Sequence, residues 1–158
     1  MRPGACSARD LSSHCRAEMA SPLLVHGSCV ALGGEGVLLR GPSGAGKSDL
    51  ALRLIDGGGV LVADDYADLT VESGRIWAAP RASIAGILEV RGAGPLSFPY
   101  LARAPLALLI DLEPPAERLP ETATETILGI ALPRFAIAPF EASAPAKIRA
   151  LLRAPPIT

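Results

Sequence analysis

Lysine is nearly missing from this chain: only Lys47 and Lys147 occur in 158 residues, against thirteen arginines. Aromatic residues make up 4% and histidine occurs twice, as His14 and His26. No apolar run reaches the roughly 18 to 20 residues of a membrane helix, which excludes a membrane-spanning helical protein. No basic block is present and the net charge is -1, which argues against nucleic acid as a partner. The three cysteines, Cys6, Cys15 and Cys29, form neither a disulfide framework nor a CxxC pair. His14 and Cys15 with a distant Cys6 do not have metal-ligand spacing. The opening "MRPGACSARDLSSHCRAEMA" lacks the apolar centre of a secretory signal. Free thiols without an export signal point to the cytoplasm. Residues 1–18 are expected to be a disordered or mis-started leader, with one folded domain over 19–158. No internal repeat is visible.

The remainder has ordinary globular composition, 49% hydrophobic and 20% charged. "LLVHGSCVAL" and "GVLLR" read as two strands joined by the turn "GGEG". "KSDLALRLID" has helical spacing at Leu50, Leu54 and Ile55, and "GGG" at 57–59 supplies its C-terminal cap. "VLVADD" is a continuous apolar run, the pattern of a strand covered on both faces. "DLTVESGRIWAAP" predicts a hairpin turning at Ser73-Gly74. "GILEVRGAGPL" reads as a strand breaking into a glycine loop, and "LALLIDLEP" as a buried strand ending in acids. "TILGIALPRFAIAP" holds one or two strands around Pro133, and Ser143 is expected to cap a last helix, "APAKIRALLRA". This order implies an α/β layered domain with added antiparallel pieces.

One of the two lysines falls where its chemistry is legible. Residues Gly41, Pro42, Ser43, Gly44, Ala45, Gly46, Lys47 and Ser48 satisfy G-x-x-x-x-G-K-[ST] between a strand and a helix. Glycines let successive N–H groups turn inward around phosphate oxygens, and the helix adds the positive end of its dipole. Lys47 is expected to reach the β- and γ-phosphates, and the Ser48 hydroxyl to sit on magnesium. The motif predicts nucleotide binding but names no reaction, since many activities share it.

Asp64 and Asp65 follow the next apolar run, at the end of a strand that lies beside the loop in a parallel sheet. Two adjacent carboxylates there can divide labour, one orienting magnesium and the other accepting a proton from an attacking hydroxyl. Asp111, ending "LALLID", is an equally acceptable magnesium acid by this logic, and the pattern leaves the choice open.

The set His26-Gly27, "GPSGAGKSDLALRLI", "LVADD" and "LEVRGAG" resembles the catalytic domain of HPr kinase/phosphorylase over about Leu23 to Pro139. The resemblance implies a P-loop kinase fold related to phosphoenolpyruvate carboxykinase, a mixed sheet with flanking helices. It implies ATP-dependent phosphorylation of a seryl hydroxyl on an HPr-type phosphocarrier, with Mg2+, and phosphate-dependent reversal releasing pyrophosphate. By the same resemblance His26, Lys47, Asp65 and Arg118 are the catalytic residues, with Asp65 the base. Ser48, Glu89 and Asp64 hold magnesium, and Arg91 touches phosphate or supports Glu89. A homo-oligomer is left open. The chain departs from the family at Pro42, where an acid is usual, at Asp49, where glutamate is usual, and at "LPRF", 132–135, where a proline-arginine-glycine loop is usual. This shortened form is similar to the type found in alphaproteobacteria. The rival readings are a small-molecule kinase or NTPase on the same scaffold, and a non-enzymatic nucleotide sensor, for which a base at Asp65 has no use.

Overall fold

The computed structural model describes residues 21–118 and 121–154. The expected leader, with Cys6, His14 and Cys15, therefore lies outside the described residues. Three strands open the chain: β1 (Leu23–His26), β2 (Ser28–Leu32) and β3 (Glu35–Arg40). Helix α1 (Lys47–Asp56) follows, then β4 (Val60–Ala63), β5 (Tyr66–Glu72) and β6 (Arg75–Pro80). A hairpin of β7 (Ile87–Val90) and β8 (Gly94–Ser97) precedes β9 (Ala104–Leu112), β10 (Ala123–Ile127), β11 (Ile130–Ile137) and α2 (Ala144–Arg153).

The main sheet has the order β1-β5-β6-β9-β3-β2-β4, with β10 and β11 attached off this path. β9 pairs in parallel with β3 on one side. Its other side is shared, β6 pairing antiparallel near its start and β11 in parallel with Leu109–Leu112. β2 lies between β3 and β4, antiparallel to both. The sheet is mixed, as the resemblance implies, and β3, β4, β9 and β11 all finish at the same edge. That edge carries the candidate site.

Alternating residues of the strands bury two apolar faces. One cluster includes Val37, Leu39, Leu108 and Ile110, packed by Leu50, Ala51 and Leu54 of α1 and by Ile148 of α2. The other includes Leu38, Val62, Leu69, Ile76 and Leu109. It closes because the β5–β6 ribbon folds back, bringing β6 against β4 although three strands lie between them along the sheet. Each fully buried leucine is worth roughly 1.5–3 kcal/mol of apolar transfer, so both faces stabilise the sheet. Cys29 is one of these core side chains, fully buried, and burial pushes its thiol up to about 12.

Several expected elements are redrawn. "LLVHGSCVAL" is two strands: Gly27 breaks it, so that β1 pairs with β5 while β2 joins β3. A Cβ at Gly27 would lie 2.8 Å from the Leu39 carbonyl oxygen, a clash only glycine avoids. The glycine loop expected after "GILEV" is a hairpin whose second strand is β8. "LPRF" is part of β11, in line with the strands expected around Pro133, which precedes the stretch paired with β9 so that its missing N–H breaks no bond on that side. Ser143 stands at the N-cap of α2 but makes no side-chain cap bond; Pro145 in the first turn favours the helix start instead. The Ser73-Gly74 turn and the glycine cap of α1 are as expected, the latter with Gly58 at φ 114 and its N–H on the Ile55 carbonyl at 2.9 Å.

Candidate active site

The Gly41–Ser48 loop joins the end of β3 to the start of α1. Gly44 and Gly46 take positive φ, 86 and 103, and Gly46 caps α1 without any side-chain bond to the helix start. The orphan N–H groups of that terminus therefore face the loop interior, which suits an anion. Lys47 is buried, and its Nζ donates to the carbonyls of Gly41 at 2.7 Å and Pro42 at 3.1 Å. An ammonium has three donors, so one remains for a ligand.

Asp64 follows β4 and is 7% exposed. Its Oδ1 accepts from Ser28 Oγ at 2.7 Å and from Ser48 Oγ at 2.8 Å. Its Oδ2 lies 3.1 Å from Ser48 Oγ and accepts the Glu89 N–H at 3.3 Å. Every donor is neutral. No cationic side chain of the described residues is among its hydrogen-bond partners, so the charge of the Asp64 carboxylate is left for a bound cation to match.

Asp65 is the opposite case, its side chain 61% exposed. It adopts φ 71, and Tyr66 N–H bonds to the Asp64 carbonyl at 2.8 Å across it, a γ-turn with a positive central φ. Such a conformation costs a non-glycine residue on the order of 1–3 kcal/mol and recurs at functional sites. Three contacts hold it: Gly27 N–H on the Asp65 carbonyl at 2.9 Å, Asp65 N–H on Ser28 Oγ at 3.4 Å, and His26 Nε2 at 3.2 Å from Oδ1. An ionised carboxylate only accepts, so His26 is the donor when Asp65 is charged. The His26 ring in turn rests near Tyr66, centroids 5.2 Å apart.

A cavity of about 520 Å³ opens beside the loop, its lining including Ser43, Lys47, Ser48, Asp65, Glu89 and Arg91, with Asp64 and His26 behind Ser48 and Asp65. Glu89 and Arg91 belong to the β7–β8 hairpin and its turn, which the Glu89 N–H pins to Asp64. Both line the cavity while remaining exposed to solvent. Arg118 is exposed and does not line it, so the arginine brought to the mouth is Arg91. Asp111, the competing magnesium acid, is engaged elsewhere: Arg40 Nε donates to it at 3.0 Å and Arg134 lies 3.8 Å away.

Two contributors escaped the sequence reading. Ser28 is fully buried and holds both Asp64 and the Asp65 backbone; a serine inside an apolar strand, two residues after His26, was the available signal. Phe140, at the cavity's rim, follows β11 with no motif around it.

With that geometry in view, comparison with known proteins identifies the lineage. A family model described as the HPr Serine kinase C-terminal domain matches residues 17–101. The chain belongs to that family. It is 41% identical over 86 residues to an HPr kinase/phosphorylase of Streptococcus thermophilus, covering 54% of this chain and 28% of that protein. It is 32% identical over 142 residues to one of Streptococcus pneumoniae, covering 81% of this chain and 46% of that protein. The chain thus spans less than half the length of these curated relatives. The solved structure of the HPr(Ser) kinase/phosphatase from Coxiella burnetii superposes with a TM-score of 0.71 at 28% identity, covering 83% of this chain and 88% of that one. These comparisons agree with the expected family and with the mixed α/β sheet flanked by helices. No helix of the described residues is long and apolar enough to cross a membrane.

Proposed function

We propose that this chain is the catalytic part of a cytoplasmic kinase that transfers phosphate from ATP to a seryl hydroxyl on an HPr-type phosphocarrier, in regulation of the phosphotransferase system. The observation that carries the reading is the division between two neighbouring acids: Asp64 buried against Ser48, and Asp65 exposed at the cavity and held by His26. The 41–48 loop acts as a phosphate cradle on a P-loop kinase fold related to phosphoenolpyruvate carboxykinase. Its N–H groups, the start of α1 and the spare Lys47 donor hold the triphosphate. Ser48 and Asp64, with Glu89 across the cavity, would hold Mg2+, which supplies charge neutralisation for the phosphates. Few protein ligands are needed, because Mg2+ typically binds one or two carboxylates plus phosphate oxygens and waters. Among the described residues no cluster of three or more His, Cys, Asp and Glu side chains is arranged to hold a metal unaided, which fits a metal that comes with its nucleotide.

In the forward direction the seryl oxygen attacks the γ-phosphorus, its proton passes to Asp65, and ADP leaves. His26 keeps the accepting oxygen oriented, and Arg91 and Lys47 balance charge on the transferring group. In reverse, an oxygen of inorganic phosphate attacks the phosphorus of phosphoserine, the seryl oxygen leaves and takes the proton from Asp65, and the pyrophosphate so formed is released. The test is to mix the protein with ATP, Mg2+ and a cognate HPr and locate phosphate by mass spectrometry. Phosphoserine on the carrier is the expected result. ATP turnover with an unlabelled carrier would move the assignment to a small-molecule kinase or NTPase, and ATP binding without turnover to a sensor.

A further inference from the structure

The C-terminal edge of the sheet places three segments in a row. The loop after β3 is central. Two strands away on one side, across β2, β4 ends at Asp64-Asp65; two strands away on the other, across β9, β11 ends at Pro139-Phe140. At about 4.8 Å per strand, each flank lies roughly 10 Å from β3. If the triphosphate is held in the loop with its terminal group toward Asp65, as the function proposed above requires, the nucleoside leaves toward the β11 side.

Phe140 waits on that side. It is 67% exposed, an unusual state for a phenylalanine, and is the one aromatic residue among the described residues that line the cavity. Its ring is not loosely displayed. It lies against Gly46, where an added Cβ would come within 2.8 Å of the Phe140 Cζ. Arg53 of α1 grips the backbone on either side, with Nη1 on the Pro139 carbonyl at 2.5 Å and Nη2 on the Glu141 carbonyl at 2.5 Å. Asp49, 3.5 Å from Arg53, steadies the guanidinium. The helix that begins at the phosphate loop therefore also fixes the aromatic ring, and Leu52 and Val90 add apolar surface to the same cavity.

We infer that Phe140 is the platform on which the purine base of the nucleotide stacks, making it an affinity-determining residue for the nucleoside half of the substrate. An exposed ring held at a fixed distance from a phosphate cradle offers a flat face without the entropy loss of ordering a mobile side chain. Stacking of one base on an aromatic side chain contributes roughly 5- to 150-fold in affinity.

The inference rests on the nucleotide reading, and two probes separate their failures. ATP and inorganic tripolyphosphate, each with Mg2+, are titrated calorimetrically into the wild-type chain, Phe140→Ala and Phe140→Trp. Phe140→Ala should weaken ATP by roughly 5- to 150-fold, leave tripolyphosphate within about twofold, and melt like wild type, since the ring is exposed. Phe140→Trp should bind ATP about as well as wild type. Equal loss of both ligands in Phe140→Ala would make the ring a support of the loop and overturn the inference. Unchanged ATP affinity would also overturn it, including the case where only the KM for the carrier protein rises. If neither ligand binds the wild-type chain, the phosphate cradle itself is wrong and the inference falls with it.

Discussion

Asp64 and Asp111 terminate comparable apolar strands at the same edge of the sheet, but the charges facing them differ. Asp64 is held by two serine hydroxyls and one peptide N–H, all neutral. Asp111 faces Arg40 at 3.0 Å and Arg134 at 3.8 Å. Arg40 also forks onto both oxygens of Glu125 at 2.8 Å each. One carboxylate has its charge matched by the protein, and the other is left for a ligand to match. The two arginines tie β3, β9, β10 and β11 together beneath the loop, whereas Asp64 faces the loop's hydroxyl. A strand-end acid becomes a site through what its neighbours omit.

The comparison breaks most severely at Asp65, whose role depends on Asp64 being occupied with something else. Asp65→Ala should lower transfer to the carrier by roughly 10²- to 10⁴-fold, the range of a lost general base, while ATP affinity stays within about twofold. Near wild-type phosphorylation by this variant, followed by carrier mass, would remove the base assignment. The next largest effect contrasts the two acids directly. Asp64→Asn should cut transfer by about 100-fold, roughly 2.7 kcal/mol of lost charge stabilisation, and Asp111→Asn should leave it within about threefold. The reverse pattern would exchange their roles. Lys47→Ala, which removes the cradle's own cation, should weaken ATP by on the order of 10-fold or more, a charge-assisted contact of 1.5–3 kcal/mol. Unchanged affinity would contradict the cradle.

How much of this was written in the chain can be argued from the same residues. The loop was legible because glycine, lysine and serine at fixed spacing have few other uses, and α1 because its apolar period and glycine cap are local. The Asp64–Asp111 choice was not legible. It depends on Arg40, Arg134 and Glu125, which approach Asp111 only through the β3–β9–β11 register, long-range information that no local pattern carries. The resemblance carried His26, Asp65 and Glu89 to the site, and the structure brings them there, but Arg118 remains on exposed chain. Gly27 as a strand break was hidden for a similar reason: its need arises from the Leu39 carbonyl on another strand. Phe140 went unseen because a lone aromatic after a strand reads as core until its exposure is known.

The smallest expected effect tests the matched side of the comparison. Arg40 holds the Glu125 carboxyl below the usual carboxylate range, against the opposing effect of burial, and Arg134 adds to the lowering. Glu125 holds its proton less tightly in the native state than in the unfolded chain, where glutamate titrates near about 4.3. The pairing therefore contributes its full stability above that unfolded value and loses it progressively as pH falls through the lower native one. Glu125 is partly exposed, so solvent screening limits the contribution at neutral pH to about 1 kcal/mol. Glu125→Gln should lose that amount in urea unfolding at pH 7, and the gap between variant and wild type should close as the pH is lowered toward about 3. A gap that stays constant with pH would mean that the carboxylate's charge contributes nothing. The arginines beside Asp111 would then be satisfied without Glu125, and Asp111 alone would carry the contrast with Asp64.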